Sequence, residues 1–271
     1  MKNLTDSLLT AGKVLLKSRH VEKPDEDVRN GRLIIMGNGP SLRDTISEHE
    51  DLLLASDTTA VNFAANTPEF FKFKPRHYIL ADPHFFKAAG EDPNVDELWG
   101  NLRNAGWNMS LHLPAGNQPG LPYNIRVRHF NMTPAEGYDL FCHSLYRHGL
   151  AMPRPRNVLI PALMEGIRDG YKEIFIVGAD HTWPHSLYVD DDNRVVSVQP
   201  HFYKDNRKEL DRVAEEYAGV HLHDVLGSMV VAFRSYHAIR RYADSLGVRI
   251  FNATPGSLID AFTRRSLKSL M

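Results

Sequence analysis

"GRLIIMGNGPSL", residues 31–42, is the stretch on which the reading of the fold turns. Leu33, Ile34, Ile35 and Met36 run without a polar interruption and then meet Gly37, Asn38, Gly39, Pro40 and Ser41. An apolar run of this length closed by glycine reads as a strand covered on both faces, the habit of parallel sheets. A buried strand that stops at a glycine-rich turn brings backbone N–H groups to a cleft, and phosphate is the common guest there. A tight turn with an asparagine helix cap is the plainer reading of the same residues. The turn is not a dinucleotide fingerprint, because no third glycine follows at the required spacing, and it is not a P-loop, because no Gly-Lys-Ser/Thr follows.

Outward from this stretch the same alternation recurs. "HYILADP" (77–83), "EIFIVGAD" (173–180) and "VRIFNAT" (248–254) read as further strands. "IPALMEGIRDGY" (160–171) is a helical pattern closed by Gly170, and "YKDNRKELDRVAEEYAG" (203–219) and "SMVVAFRSYHAIRRYADSLG" (228–247) read as two more helices. Strand and helix in alternation predict an α/β chain: a mostly parallel, Rossmann-like sheet flanked by helices. A single domain over 1–271 is expected, with a lid-like insertion at about 181–205 and a loop-rich region at about 114–161 beside the cleft. In such sheets ligands gather at the carboxyl ends of strands. The ends at Gly37–Ser41, at Asp82 and at Asp180-His181 are therefore expected to face one cleft.

Composition excludes several functions. The 271 residues are 42% hydrophobic, enough to bury a core without a disulfide or metal. Lys plus Arg number 32 against 33 Asp plus Glu, so there is no basic field to draw nucleic acid, and no such partner is expected. The single cysteine, Cys142, excludes an intrachain disulfide and a cysteine-rich zinc site and fits a reducing, cytoplasmic compartment. The N-terminal residues have too few consecutive apolar positions for a signal peptide or a membrane span. They are nonetheless amphipathic, with Leu4, Leu8, Leu9, Val14, Leu15 and Leu16 beside Lys2, Lys13, Lys17 and Arg19, and "AFTRRSLKSLM" (261–271) is similar. Packing on the body is the first expectation, peripheral contact with an anionic inner leaflet the second. Self-association into a homo-oligomer is also carried as an expectation.

"IIMGNGPSL" (34–42), "AVNFA" (60–64) and "GYKEIFIVGADHTWPHSLYVDD" (170–191) together resemble the small bacterial sialyltransferases that use CMP-N-acetylneuraminic acid, a family with one GT-A-variant α/β domain and a lid. The similarity extends weakly to "LGVRIFNATPGSLIDAF" (246–262). It implies that Gly37, Asn38, Gly39, Pro40, Ser41 and Asn62 hold the cytidine nucleotide, with Asp180 in the second turn and Tyr188 assisting the departing phosphate. Asp82 and His181, at the neighbouring strand ends, join the nucleotide set. Where the family has a second phosphate-assisting tyrosine this chain has Thr182, and where the family's base sits in Gly-His-Ser the chain has Gly227-Ser228, leaving His223 as the nearest of 14 histidines, ahead of His201. The family's Thr-Ser-Gly step beside the sugar reads Asn157-Val158-Leu159. With the sugar half altered, other CMP-activated acid sugars, such as 3-deoxy-manno-octulosonic acid, are reasonable alternatives to sialic acid as the donor.

The resemblance implies inverting transfer of an acid sugar from a CMP-activated donor to a glycan or glycolipid acceptor, in bacterial surface polysaccharide synthesis. A monophosphate leaving group can be stabilised by hydroxyls and N–H groups alone, so neither a cofactor nor a metal is expected. A histidine near its ordinary pKa suits the base. Two alternatives stand beside this: a pterin-type pyrophosphokinase using ATP and Mg²⁺, which shares the Gly-x-Gly-Pro-Ser-Leu turn, and a relative that binds nucleotide or sugar without turnover. Asp82, His84, Asp180, His181 and His185, at strand ends, are of metal-binding types, but their spacing is not a compact ligand set.

Overall fold

The computed structural model describes residues 2–22, 31–197 and 219–270. In chain order the strands are β1 (Arg32–Met36), β2 (Asp57–Val61), β3 (His77–Ile79), β4 (Met109–Pro114), β5 (Ile125–Phe130), β6 (Glu173–Val177), β7 (Leu187–Val189), β8 (Val195–Ser197), β9 (Arg249–Asn252) and β10 (Thr263–Arg264). Eight of them form one sheet in the order β10-β9-β6-β1-β2-β3-β4-β5, each neighbouring pair parallel. The expected α/β sheet is thus found, and β7 with β8 forms a separate antiparallel hairpin.

The uninterrupted apolar run of β1 has its cause in this order. Ile34 lies opposite Thr58 on one side and Phe175 on the other, so β1 is interior to the sheet. Leu33 and Ile35 pack into one core with helices α7 (Leu159–Arg168) and α8 (Leu222–Ser245), while Ile34 and Met36 pack into a second core with α2 (Leu42–Leu54) and α5 (Pro93–Arg103). Both faces of the strand are buried, and no position can be polar without a partner. α7 ends as its sequence requires, at Gly170 in the left-handed region (φ 83°).

One expectation needs revision here, and one is met. The region 114–161 is not simply loop-rich, since it carries β5 at the sheet edge and helix α6 (Asp139–Arg147). The N-terminal helix α1 (Lys2–Lys17) packs on the body, where buried Thr10 Oγ1 donates to Glu136 O (2.8 Å) and, just past the helix, Ser18 Oγ donates to Leu150 O (2.6 Å). Val14 joins the core, but Leu15 and Leu16 are each 86% exposed. Among the described residues, no helix is long and apolar enough to cross a membrane. The helix expected at 203–219 lies outside the described residues, as do His201 and all of the expected lid beyond residue 197.

Candidate functional site

Strands β1 to β5 proceed outward on one side of β1, and β6, β9 and β10 proceed outward on the other. The order therefore reverses between β1 and β6, and such a reversal is where open parallel sheets form a crevice at the strands' carboxyl ends. The Gly37–Ser41 turn follows β1, and the Gly178–Asp180 turn follows β6. The two stretches singled out in the sequence thus meet at the switch point.

They meet backbone to backbone. Gly37 N–H donates to Val177 O (2.8 Å), and Gly39 N–H donates to Gly178 O (2.8 Å). A Cβ on Gly37 would come within 2.5 Å of Gly178 O, and one on Gly39 within 2.7 Å of the same oxygen. Gly178 itself is left-handed (φ 61°). Asp180 closes the clasp, its carboxylate accepting from Ser41 Oγ (2.9 Å) and Ser41 N–H (3.3 Å). The N–H groups of Gly37, Gly39 and Ser41, which sequence reasoning offers to a phosphate, are therefore engaged within the protein. The glycines are required by the close approach of two turns.

The polar atoms left over are amides. Asn38 Nδ2 donates to Val61 O (3.1 Å), which fixes the orientation of the amide and leaves Asn38 Oδ1 buried without a partner. Asn62, directly after β2, is also left-handed (φ 50°) with a buried, unpartnered Oδ1. Its backbone is held by Tyr78, whose hydroxyl donates to Asn62 O and accepts from Ala65 N–H (2.8 Å). Unpaired buried acceptors cost about 1–3 kcal/mol each, and strained backbone persists where function retains it. Two acceptors at one strand-end crevice fit a ligand that brings N–H or O–H donors, such as ribose hydroxyls or an exocyclic amine.

A third amide faces the other way. Asn157 Oδ1 accepts from Leu159 N–H (3.0 Å) and Tyr236 OH (2.9 Å), so its Nδ2 is a buried donor without a partner. Because the Tyr236 hydroxyl proton goes to Asn157, its oxygen accepts from His181 Nε2–H (2.6 Å). That chain fixes the tautomer and leaves His181 Nδ1 as an acceptor. His181 is left-handed (φ 52°) and lies against Trp183, with ring centroids 4.1 Å apart. Burial pushes its pKa down to about 3.

The neutral state of His181 has a consequence for stability. Between pH 6.5 and about 3 the unfolded chain binds a proton at this position that the folded chain refuses. The contribution is complete above pH 6.5 and is lost as pH falls, by at most about 1.4 kcal/mol per pH unit. In urea titrations across that range, His181→Gln, which keeps a donor near Nε2, should give a shallower acid decline. An unchanged slope would place the acid sensitivity elsewhere.

The expected catalytic residues flank this constellation: Thr182 directly follows His181, and Trp183, against which His181 lies, packs with Leu187 of β7 and Val225 of α8. Tyr188 lies on β7, 54% exposed, and the partly exposed Thr182 accepts at its backbone carbonyl from His185 N–H (2.9 Å). His223, on the first turn of α8, has a side chain 79% exposed, with Asp224 Oδ1 3.4 Å from Nε2. The β7–β8 hairpin and the start of α8 share a small core of Val195, Val225 and Met229. Among the described residues, no hydrogen bond or ring contact joins Tyr188, Thr182 or His223 to the clasp. Asp82 is exposed and accepts from His84 N–H (2.9 Å), at the end of β3.

Nor do the strand-end histidines and aspartates converge on one point. His84 is held by Asp92 (3.0 Å), Asp180 by Ser41 and His181 by Tyr236. Tyr236 was not legible in the sequence as part of a site. Tyr236 is one aromatic residue among several on α8, and its role depends on a contact 79 positions away in sequence.

Comparison of the chain with protein-family models and with curated protein sequences yields no match. Among solved structures, the chain is similar to the MAf glycosyltransferase from Magnetospirillum magneticum AMB-1, with a TM-score of 0.55 and 12% identity over 98% of this chain. It spans 38% of the length of that protein. The chain therefore has a glycosyltransferase-like fold.

Proposed function

We propose that the protein is a glycosyltransferase that moves an acid sugar from a CMP-activated donor to a glycan acceptor, inverting the anomeric centre. The observation that carries this reading is the pair of unpartnered acceptors, Asn38 Oδ1 and Asn62 Oδ1, at the switch-point crevice. Both fall on residues that the sialyltransferase resemblance assigns to the nucleotide. Asn157 Nδ2, a donor at the position where that family borders the sugar, suits a carboxylate or hydroxyl oxygen of the donor sugar. The similarity in fold to a glycosyltransferase supports the same reading.

In this reading Gly37, Gly39, Gly178 and Asp180 build the crevice, and the asparagines bind in it. Tyr188 and Thr182 supply hydroxyls to the leaving phosphate, whose charge grows as the glycosidic bond breaks. His223 takes the acceptor hydroxyl proton. His181 is the weaker choice, because a base held near pKa 3 has little affinity for that proton at neutral pH. No divalent ion is assigned to the transfer, since a monophosphate leaving group needs no diphosphate clamp.

Calorimetry with CMP tests the site. Asn38→Ala, and Asn62→Gly, which keeps the left-handed backbone, should each weaken CMP binding about tenfold, or about 1.4 kcal/mol. Unchanged affinity in both variants would remove the nucleotide from this crevice. CMP release from CMP-N-acetylneuraminic acid or its octulosonic counterpart, without added Mg²⁺, supports the transferase. AMP formation from ATP with Mg²⁺ would support the pyrophosphokinase, and tight CMP binding without turnover would support the binder.

A further inference from the structure

At the opposite, amino-terminal edge of the sheet the structure buries a group of charged and titratable side chains that the proposed reaction does not use. His77 is the first residue of β3, His112 lies on the neighbouring strand β4, and Asp169 caps the end of α7. All three are at least nine-tenths buried. His77 Nδ1 is 3.1 Å from His112 Nε2, and Asp169 Oδ2 is 3.5 Å from the first and 3.7 Å from the second.

The hydrogen bonds behind these atoms fix what each presents to the centre. Tyr171 OH donates to Asp57 Oδ2 (2.9 Å), so it accepts from His77 Nε2–H (3.0 Å), and His77 Nδ1 keeps a lone pair. Glu165 Oε2 is an acceptor 3.2 Å from His112 Nδ1, so that nitrogen carries the proton and His112 Nε2 keeps a lone pair. Asp169 Oδ2 is a third acceptor, its other oxygen held by Arg128 Nη1 (2.5 Å). Three acceptors pointing at one another within 3.7 Å repel unless something positive sits between them.

We infer that the cluster is a structural metal site, built by His77 Nδ1, His112 Nε2 and Asp169 Oδ2 for a divalent transition ion of the Zn²⁺ type. A triangle with sides of 3.1, 3.5 and 3.7 Å has a circumradius of about 2.0 Å, which matches ordinary Zn–N and Zn–O bonds. Two imidazoles and one carboxylate are a donor set for zinc and its neighbours. Each histidine is oriented from behind, one by a carboxylate and one by a tyrosine bonded to a carboxylate, as metal-bound histidines are. Arg168 on Glu165 (3.2 Å) and Arg128 on Asp169 fix the two acidic groups. The ion would tie β3 and β4 to the end of α7, away from the crevice, so this inference stands or falls apart from the proposed transfer.

The test is refolding of the full chain in Zn²⁺ or in EDTA, followed by metal analysis and thermal melting. About one zinc per chain, and a Tm higher by about 5 °C or more in zinc, are expected, since an ion that binds only the folded state adds to its stability. Refolding in Co²⁺ should give the strong visible bands of a low-coordinate cobalt site. His112→Gln and Asp169→Asn, which keep side-chain volume, should abolish stoichiometric metal and the zinc-dependent part of the Tm. If wild-type chain folds equally well in EDTA and retains no zinc, the centre holds a shared proton and the inference is wrong. Equal zinc in wild type and both variants would also overturn it.

Discussion

Gly178→Ala should destabilise the protein by about 3 kcal/mol or more, well above the usual effect of a single substitution. A side chain in the left-handed region costs about 1–2 kcal/mol, and Gly178 has φ 61°. The added Cβ would also run into Gly37 O and come within 2.9 Å of Leu42 Cβ, so the two turns would have to part. The Gly39–Gly178 and Gly37–Val177 hydrogen bonds would loosen with them, and CMP binding should be lost together with stability. Gly39→Ala belongs to the same class, because its Cβ meets the Asp180 carboxylate. Gly100→Ala is the control: it lies within α5 with nothing within 4 Å, and should be neutral or stabilising by up to about 1 kcal/mol. Urea midpoints for the three variants decide the matter, and a wild-type midpoint for Gly178→Ala would mean that the turns are not clasped as described.

The second large effect is expected at His223. If it is the base, His223→Ala should lower kcat by about 10²- to 10⁴-fold and leave CMP affinity nearly unchanged, because its role is to take the acceptor proton and not to hold the nucleotide. The acidic limb of the pH–rate profile should vanish with it. Asp224→Asn, acting through the 3.4 Å contact with His223 Nε2, should show a smaller loss of kcat. Retention of the full transfer rate by His223→Ala would leave the reaction without its assigned base, and His201 would be the next to replace.

Strand β1 was legible because burial on both faces leaves a mark that one stretch of sequence carries whole: Leu33 to Met36, then glycine. β6, β9 and β3 announce themselves in the same way, and so does α7, with Gly170 behind it. β2 reads "DTTAV" and β4 reads "MSLHLP", and neither stood out. Thr58 and Thr59 are buried within paired strands, so the sheet accepts polar side chains that an apolar pattern does not reveal. The edge strand β5 and helix α6 were hidden in a stretch whose glycines and prolines read as loop.

What the sequence determined by itself was the α/β class, the two glycine turns and the asparagines after β1 and β2, because each is written in a few adjacent residues. What only the tertiary structure decided was their use. The strand order places Gly37 against Gly178, and that contact, made by residues 141 positions apart in a numbering the chain alone cannot fold, turns the turn's N–H groups inward and leaves Asn38 and Asn62 as the open polar groups. The pairing of β3 with β4 likewise brings His77 beside His112, and α7 lays Asp169 across them. Local pattern fixes which residues are buried or capping, whereas convergence of distant side chains depends on register and crossover, which no single stretch encodes.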